Sequence, residues 1–272
     1  MTQDWPTCTR GSSPLVVSFP HTGTDIPAEL EPRFASLWHA RRDADWWVDK
    51  LYDFARGMDV TTVRTSISRS VIDVNRDPSG ASLYPGQATT ELCPTTDFDG
   101  APLYREGHAP DEAEVERRRE TWFAPYHAAL REELDRLRAI HPRVVLFDAH
   151  SIRSRIPRLF DGELPQFNIG TNSGRSCADA LSQGVERVCA ATAWSHVVNG
   201  RFKGGWTTRH YGEPERGVHA IQLELSCRGY MEEPDTPSPE NWPAPYSETR
   251  AAAMRTVLER IIGACLSFAR SG

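Results

Sequence analysis

Apolar residues fall along this chain in short β-branched runs that stop on a polar residue, proline or glycine, and between these runs they recur at helical spacing. The runs at 14–19, 60–66, 70–74, 143–151, 165–171, 195–198 and 218–226 are expected to be strands. Residues 46–57, 111–140, 176–191 and 247–270 are expected to be helical. Gly57 closes the first of these, Pro125 kinks or divides the second, and Ser247 caps the last. Alternation of this kind predicts an α/β fold, a doubly wound three-layer αβα sandwich around a mostly parallel or mixed sheet. Two stretches fit neither pattern. Residues 81–110 carry Pro85-Gly86, Cys93-Pro94 and Asp99-Gly100 and read as a long loop, or lid, over the strand ends. Residues 204–212 read as a polar, turn-rich segment.

The polar residues that interrupt the strands suggest chemistry. The run at 143–151 ends in Asp148-Ala149-His150-Ser151, which delivers a carboxylate and an imidazole to the carboxyl edge of the sheet, where open α/β folds place their sites. His21 follows the run at 14–19, just beyond Pro20. Asp43 and Asp45 precede the helix expected at 46–57; the helix dipole accounts for one such acid more easily than for two. Arg76 leaves the sheet on a turn after 70–74. In 218–226, Ile221, Leu223 and Leu225 share one face, so Gln222 and Glu224 share the other, and a mid-strand carboxylate is costly to bury without a partner. Taken singly, each has a plainer explanation: a loop histidine, a cap, a surface charge. Together they are the parts of a mononuclear hydrolytic zinc site, two imidazoles and a carboxylate with a water in the open position, and Glu224 can shuttle the proton.

Composition narrows the function class. With 272 residues and 39% hydrophobic content, the chain can bury a large core, and no linker or repeat divides it, so one domain spanning 1–272 is expected; the segment 232–239 comes nearest to low complexity. The net charge is −6, and all basic residues but Lys50 and Lys203 are arginine, so nucleic acid is not an expected partner. No apolar stretch approaches the roughly 18 residues of a membrane span, and residues 1–6 lack the basic and apolar regions of a leader, which points to a soluble cytoplasmic protein with no membrane partner. Six cysteines without a Cys-x-x-Cys pair are expected to be reduced, mostly buried thiols.

Six segments, in this order, carry a resemblance: Pro20-His21-Thr22-Gly23, Asp43-Ala44-Asp45-Trp46, Asp73-Val74-Asn75-Arg76, Asp148-Ala149-His150-Ser151, Thr208-Arg209-His210-Tyr211-Gly212 and Gln222-Leu223-Glu224-Leu225. As a set, from about Leu15 to Met231, the chain resembles the N-formylglutamate amidohydrolases of histidine degradation; more distantly it is similar to zinc carboxypeptidases and aspartoacylase-like deacylases. The resemblance implies a zinc-exopeptidase-like fold and zinc-dependent hydrolysis of N-formyl-L-glutamate to formate and L-glutamate. It implies one zinc held by His21, His150 and a carboxylate, with Glu224 as catalytic base. Those distant relatives carry a His-x-x-Glu motif, but here Thr24 follows His21, so Asp25 and Asp45 both stand as candidates and Asp45 is preferred. The family usually has histidine where Trp47 stands, and that position is expected to shape the pocket. Asn75 and Arg76 are expected to hold one substrate carboxylate and Arg209 the other, with Arg69 as a further candidate. A deacylase of another N-acyl amino acid, a carboxypeptidase, and a carboxylate- or metal-binding module remain as alternatives.

Overall fold

The computed structural model of the protein describes residues 5–271; residues 1–4, where no leader pattern is expected, and residue 272 lie outside them. Seven strands form one sheet: β1 (Thr7–Thr9), β2 (Leu15–Phe19), β3 (Thr61–Arg64), β4 (Val144–Ile152), β5 (Phe167–Gly170), β6 (His196–Val198) and β7 (Val218–Ser226). Their order is β1-β3-β2-β4-β7-β5-β6. Strands β3, β2, β4 and β7 run parallel, and β1 and β5 pair antiparallel with β3 and β7. Among the described residues seven α-helices accompany the sheet: α1 (Leu37–Arg42), α2 (Val48–Leu51), α3 (Glu112–Arg118), α4 (Ala124–Arg138), α5 (Asp179–Ala190), α6 (Trp206–Tyr211) and α7 (Glu248–Arg270).

Both faces of the sheet are covered, which is why β4 and β7 are buried along their whole length. Alternate residues divide between the faces. Val17, Val145, Phe147, Ile221 and Leu223 pack with Met254, Leu258 and Ile261 of α7 and Leu181 and Val185 of α5. Val16, Leu146 and Ala220 pack with Tyr126, Leu130 and Leu134 of α4. The result is three layers. Strand β2 has β3 on one side and β4 on the other, so the chain changes direction across the sheet at this point, and a crevice opens beyond the carboxyl ends of β2 and β4.

Three expectations require correction. Residues 70–74 form turns, not a strand: the Val71 amide bonds to Ser68 O and the Asp73 amide to Leu92 O. The free edge of β3 is taken instead by β1, which the hydrophobic pattern does not reveal. The helix expected over 46–57 is broken; Trp47, at φ 65°, precedes the single turn of α2, and a 3-10 segment, Asp53–Met58, ends on Asp59 at φ 56°. Residues 204–212 hold a helix, α6, anchored where the Thr207 amide donates to Asn75 Oδ1. Pro125 does mark a junction, since α3 passes through a π turn at Arg119–Phe123 into α4, and the proline, which lacks an N–H to continue the ladder, lies directly after that turn. All six cysteines are free, and five are buried. Among the described residues no helix is long and apolar enough to cross a membrane.

Candidate metal and substrate site

His21 follows β2, His150 lies within β4, and Asp45 lies in the turn before α2. Gly23 lets the first of these elements fold tightly: a Cβ there would stand 2.3 Å from Ile67 O, so only glycine allows the loop after β2 to lie against residues 66–67. The Asp45 amide then bonds to His21 O at 2.9 Å, drawing the second loop onto the first. The outcome is a convergence of three buried donor atoms. His150 Nδ1 is 3.1 Å from both His21 Nδ1 and Asp45 Oδ2, and His21 Nδ1 is 3.7 Å from that oxygen.

The outer nitrogen of each ring is already engaged. His21 Nε2 is 2.7 Å from Asp73 Oδ1, and His150 Nε2 is 2.9 Å from Asp148 Oδ2. These carboxylates are themselves held in place. Asp73 accepts from the Asn75 amide and from Arg69 Nη2, and Asp148 accepts from Ser18 Oγ and Asn75 Nδ2. With each Nε2–H directed at a carboxylate, the two Nδ1 atoms and a carboxylate oxygen converge on one point, an arrangement that needs a proton or a metal cation between them.

The donor set fits zinc. Ligands about 2.0–2.1 Å from a tetrahedral zinc stand roughly 3.3 Å apart, close to the spacings seen. Asp45 Oδ1 is buried without a hydrogen-bond partner. Four carboxylates, Asp45, Asp73, Asp148 and Glu224, are buried around this point; Arg69 pairs with Asp45 and Asp73 and Arg76 with Asp73, while Asp148 and Glu224 have no guanidinium partner among the described residues, and this excess of negative charge favours a cation. The two imidazoles show that demand unequally. Burial, then the nearby Arg69 charge, pushes the His21 pKa down; burial also opposes protonation of His150, but Asp148 and Asp45 outweigh it and raise its pKa well above the usual value.

In the sheet register His150 pairs with Glu224, so strand pairing sets the glutamate beside the donor cluster. Among the described residues its one side-chain hydrogen bond is a long one, from Gln222 Nε2 at 3.5 Å, and burial pushes its pKa up to about 7. Gln222 Oε1 accepts from the Gly205 amide, and a Cβ on Gly205 would lie 2.4 Å from Asn75 Nδ2, so this glycine allows the start of α6 to close over Asn75. A cavity opens over this group, lined by His21, His150, Glu224 and Asn75 and, farther out, by Tyr84, Thr90, Phe98 and Phe202.

The arginines named from sequence are placed differently from one another. Arg69 and Arg76 line the cavity. Arg69 lies over the Phe98 ring, and Arg76 bonds through Nε to Thr90 O and through Nη2 to Thr90 Oγ1. Arg209, expected as a carboxylate anchor, is not in the lining: its Nε donates to Gly204 O and its guanidinium lies over the ring of Tyr84, which is. Asp25 is exposed and bridges to Ile67. Trp47 is not in the cavity lining either; its Nε1 donates to Ala244 O and its ring lies near Tyr246, so it does not shape the pocket wall as expected. Sequence reasoning missed Asp73 and Asp148 as partners of the ring nitrogens, and Tyr84 and Arg201 as parts of the wall. For Asp148 the signal was present: two residues from His150 on one strand, it points to the same face.

Three comparisons bear on this site. A family model described as N-formylglutamate amidohydrolase matches residues 13–231. An N-formylglutamate deformylase from Pseudomonas aeruginosa is 47% identical over 254 residues, covering 93% of this chain and 94% of that protein. One from Pseudomonas putida is 45% identical over 260 residues, covering 95% and 94%. The crystal structure of an N-formylglutamate amidohydrolase from Ralstonia eutropha shares the fold, with a TM-score of 0.80 at 24% identity over 98% of this chain and 99% of that one.

Proposed function

The chain belongs to the N-formylglutamate amidohydrolase family, and from that premise we propose that it hydrolyses N-formyl-L-glutamate to formate and L-glutamate, using one zinc ion held by His21, Asp45 and His150. The observation that carries the reading is the meeting of two Nδ1 atoms and a carboxylate oxygen, each ring tied at Nε2 to a buried carboxylate, beside a glutamate whose side chain makes a single long hydrogen bond among the described residues. When bound there, zinc supplies Lewis acidity toward the formyl carbonyl and the attacking water.

The remaining work falls to the protein. Glu224 takes a proton from the water as its oxygen bonds to the formyl carbon, and returns a proton to the amine nitrogen as the C–N bond breaks. Arg69 adds positive charge near the carbonyl oxygen, where negative charge develops. Arg76, beside Asn75, receives the substrate carboxylate nearer the reacting bond, while Asn75 itself steadies Asp148 and the start of α6. The reading extends to a single catalytic domain of zinc-exopeptidase type over residues 1–272, since one sheet edge supplies both His21 and His150 as well as Glu224, and to a cytoplasmic enzyme acting on a small molecule.

The test is formate release from N-formyl-L-glutamate by purified protein, before and after a chelator and after zinc is restored. Expected are about one zinc per chain, loss of turnover on chelation, and recovery on addition. Full turnover by protein that elemental analysis shows to be free of transition metal would end the zinc reading; absence of formate release from the zinc-loaded protein would end the substrate reading.

A further inference from the structure

Arg201 is the one guanidinium in the cavity wall without a carboxylate partner. Arg69 pairs with Asp73 at 2.7 Å, and Arg76 stands 3.7 Å from the same residue. Arg201 instead spends its hydrogen bonds on backbone carbonyls, Leu159 O from Nε and Ala88 O from Nη2. Among the described residues no carboxylate pairs with it. It is half-buried in the loop after β6, packed against the rings of Tyr84 and Phe202. Burial lowers its pKa and the charge of Arg76 adds to that, although Tyr84 and Glu224 act the other way, so an anion entering the cavity beside it would relieve a cost already present in the fold. The two carbonyl bonds fix the plane of the guanidinium, and the aromatic faces of Tyr84 and Phe202 beside it suit a short run of methylenes leading to a carboxylate.

We propose that Arg201, and not Arg209, receives the side-chain carboxylate of the substrate, with Arg76 receiving the carboxylate beside the scissile bond. This rests on the N-formylglutamate reading above and adds what selects a dicarboxylate over its amide. A single guanidinium near the metal ligands accepts any N-formyl amino acid; a second one in the same cavity wall, with no carboxylate in salt-bridge contact among the described residues, makes the extra negative charge a requirement. Arg209 also lies over the Tyr84 ring but is not part of the cavity lining.

The experiment compares wild type, Arg201→Gln, Arg201→Lys and Arg209→Gln as zinc-loaded enzymes on N-formyl-L-glutamate and N-formyl-L-glutamine. Wild type should prefer the acid by more than about tenfold in kcat/KM, and Arg201→Gln should lose that preference because the acid falls by more than about tenfold while the amide changes little. Arg201→Lys, which keeps the charge but not the fork, should fall between. Arg209→Gln should keep the preference. A preference retained in Arg201→Gln, or lost in Arg209→Gln instead, overturns the proposal. Calorimetric binding of L-glutamate against L-glutamine to the same proteins reads the anchor without turnover. If no formate is released but Arg201→Gln alone abolishes a preference for L-glutamate, the deformylase reading fails and the anion site stands; if wild type shows no such preference, the anion site fails.

Discussion

At the strand ends His21, Asp45, Asp73, Asp148, His150 and Glu224 are each less than a tenth exposed, and the outer ring nitrogens are tied to Asp73 and Asp148, which are held in turn by Arg69, Asn75 and Ser18. Farther out in the same cavity, Arg76, Tyr84, Arg201 and Phe202 are half-buried and sit on loops held to one another by a few hydrogen bonds. The two regions are positioned by different physics. His150 and Glu224 are set by the register of β4 and β7, which cannot slip by one residue without turning every apolar side chain to the wrong face. The outer wall is set by contacts such as Tyr84 Oη to Gly204 O at 2.9 Å, which can be lost one at a time. Bond-breaking chemistry therefore has a rigid base, while substrate selection rests on parts that can change without disturbing it.

The strongest way to break this contrast is to change the inner region without changing its shape. Glu224→Gln preserves volume and removes the proton acceptor, so kcat should fall by roughly two or more powers of ten while zinc content and the unfolding midpoint stay near wild type. Retention of most of the turnover would demote Glu224 to a structural role. Next in size is Asp148→Asn. The amide cannot serve His150 Nε2–H, Asn75 Nδ2 and Ser18 Oγ as the carboxylate does, and zinc affinity should drop by about 10- to 100-fold, measured by competition with a chelator. Unchanged affinity would show that His150 is oriented by packing alone.

A smaller effect is expected at the outer wall. Tyr84→Phe removes the hydroxyl that donates to Gly204 O and accepts from the Lys203 amide, two bonds tying the 81–90 loop to the loop before α6. At about 1 kcal/mol per bond, KM for N-formyl-L-glutamate should rise several-fold with kcat little altered. A fall in kcat as large as that of Glu224→Gln would mean that the two regions are not separable.

The same division governs what can be read from sequence. Strands β2, β4 and β7 announce themselves because a strand buried on both faces must be apolar at nearly every position, so Asp148, His150 and Glu224 stand out as exceptions that need a purpose. The run at Val71 and Ile72 misleads for a related reason: β-branched residues report burial, which is real here, but not pairing, which depends on whether β3 has a free edge. Strand β1 is three residues whose partner lies more than fifty positions away, beyond any local pattern. Arg209 belongs to a recognisable motif and Arg201 does not, yet it is Arg201 that lines the cavity, a fact of how the loops after β6 and around Ala88 meet. Loop residues acquire meaning from neighbours distant in sequence, and no spacing rule carries that information.

The smallest predicted effect concerns the support behind the inner region. His127 of α4 is almost completely enclosed; its Nε2 lies 2.8 Å from Val74 O and its Nδ1 3.0 Å from Tyr211 Oη, so it props the turn that carries Asp73, Asn75 and Arg76. Burial pushes its pKa down to about 3 from an ordinary 6.5, which means the folded protein holds this ring neutral where the unfolded chain would protonate it. Its contribution to stability is complete above pH 6.5 and is lost as pH falls toward 3, with a slope of at most about 1.4 kcal/mol per pH unit for one proton. Glu224 acts in an overlapping window with the opposite sign: its raised pKa favours the protonated form in the fold, so its contribution weakens as pH rises from the ordinary carboxyl range through about 7. The informative quantity is therefore the difference between wild type and His127→Gln, from urea unfolding at several pH values between 7 and 5. Wild type should lose its advantage over the variant as pH falls, by about 1 kcal/mol per unit below 6.5; parallel pH profiles would show that the protonated ring is accommodated in the fold, and that the turn bearing Asn75 and Arg76 does not depend on a neutral imidazole behind it.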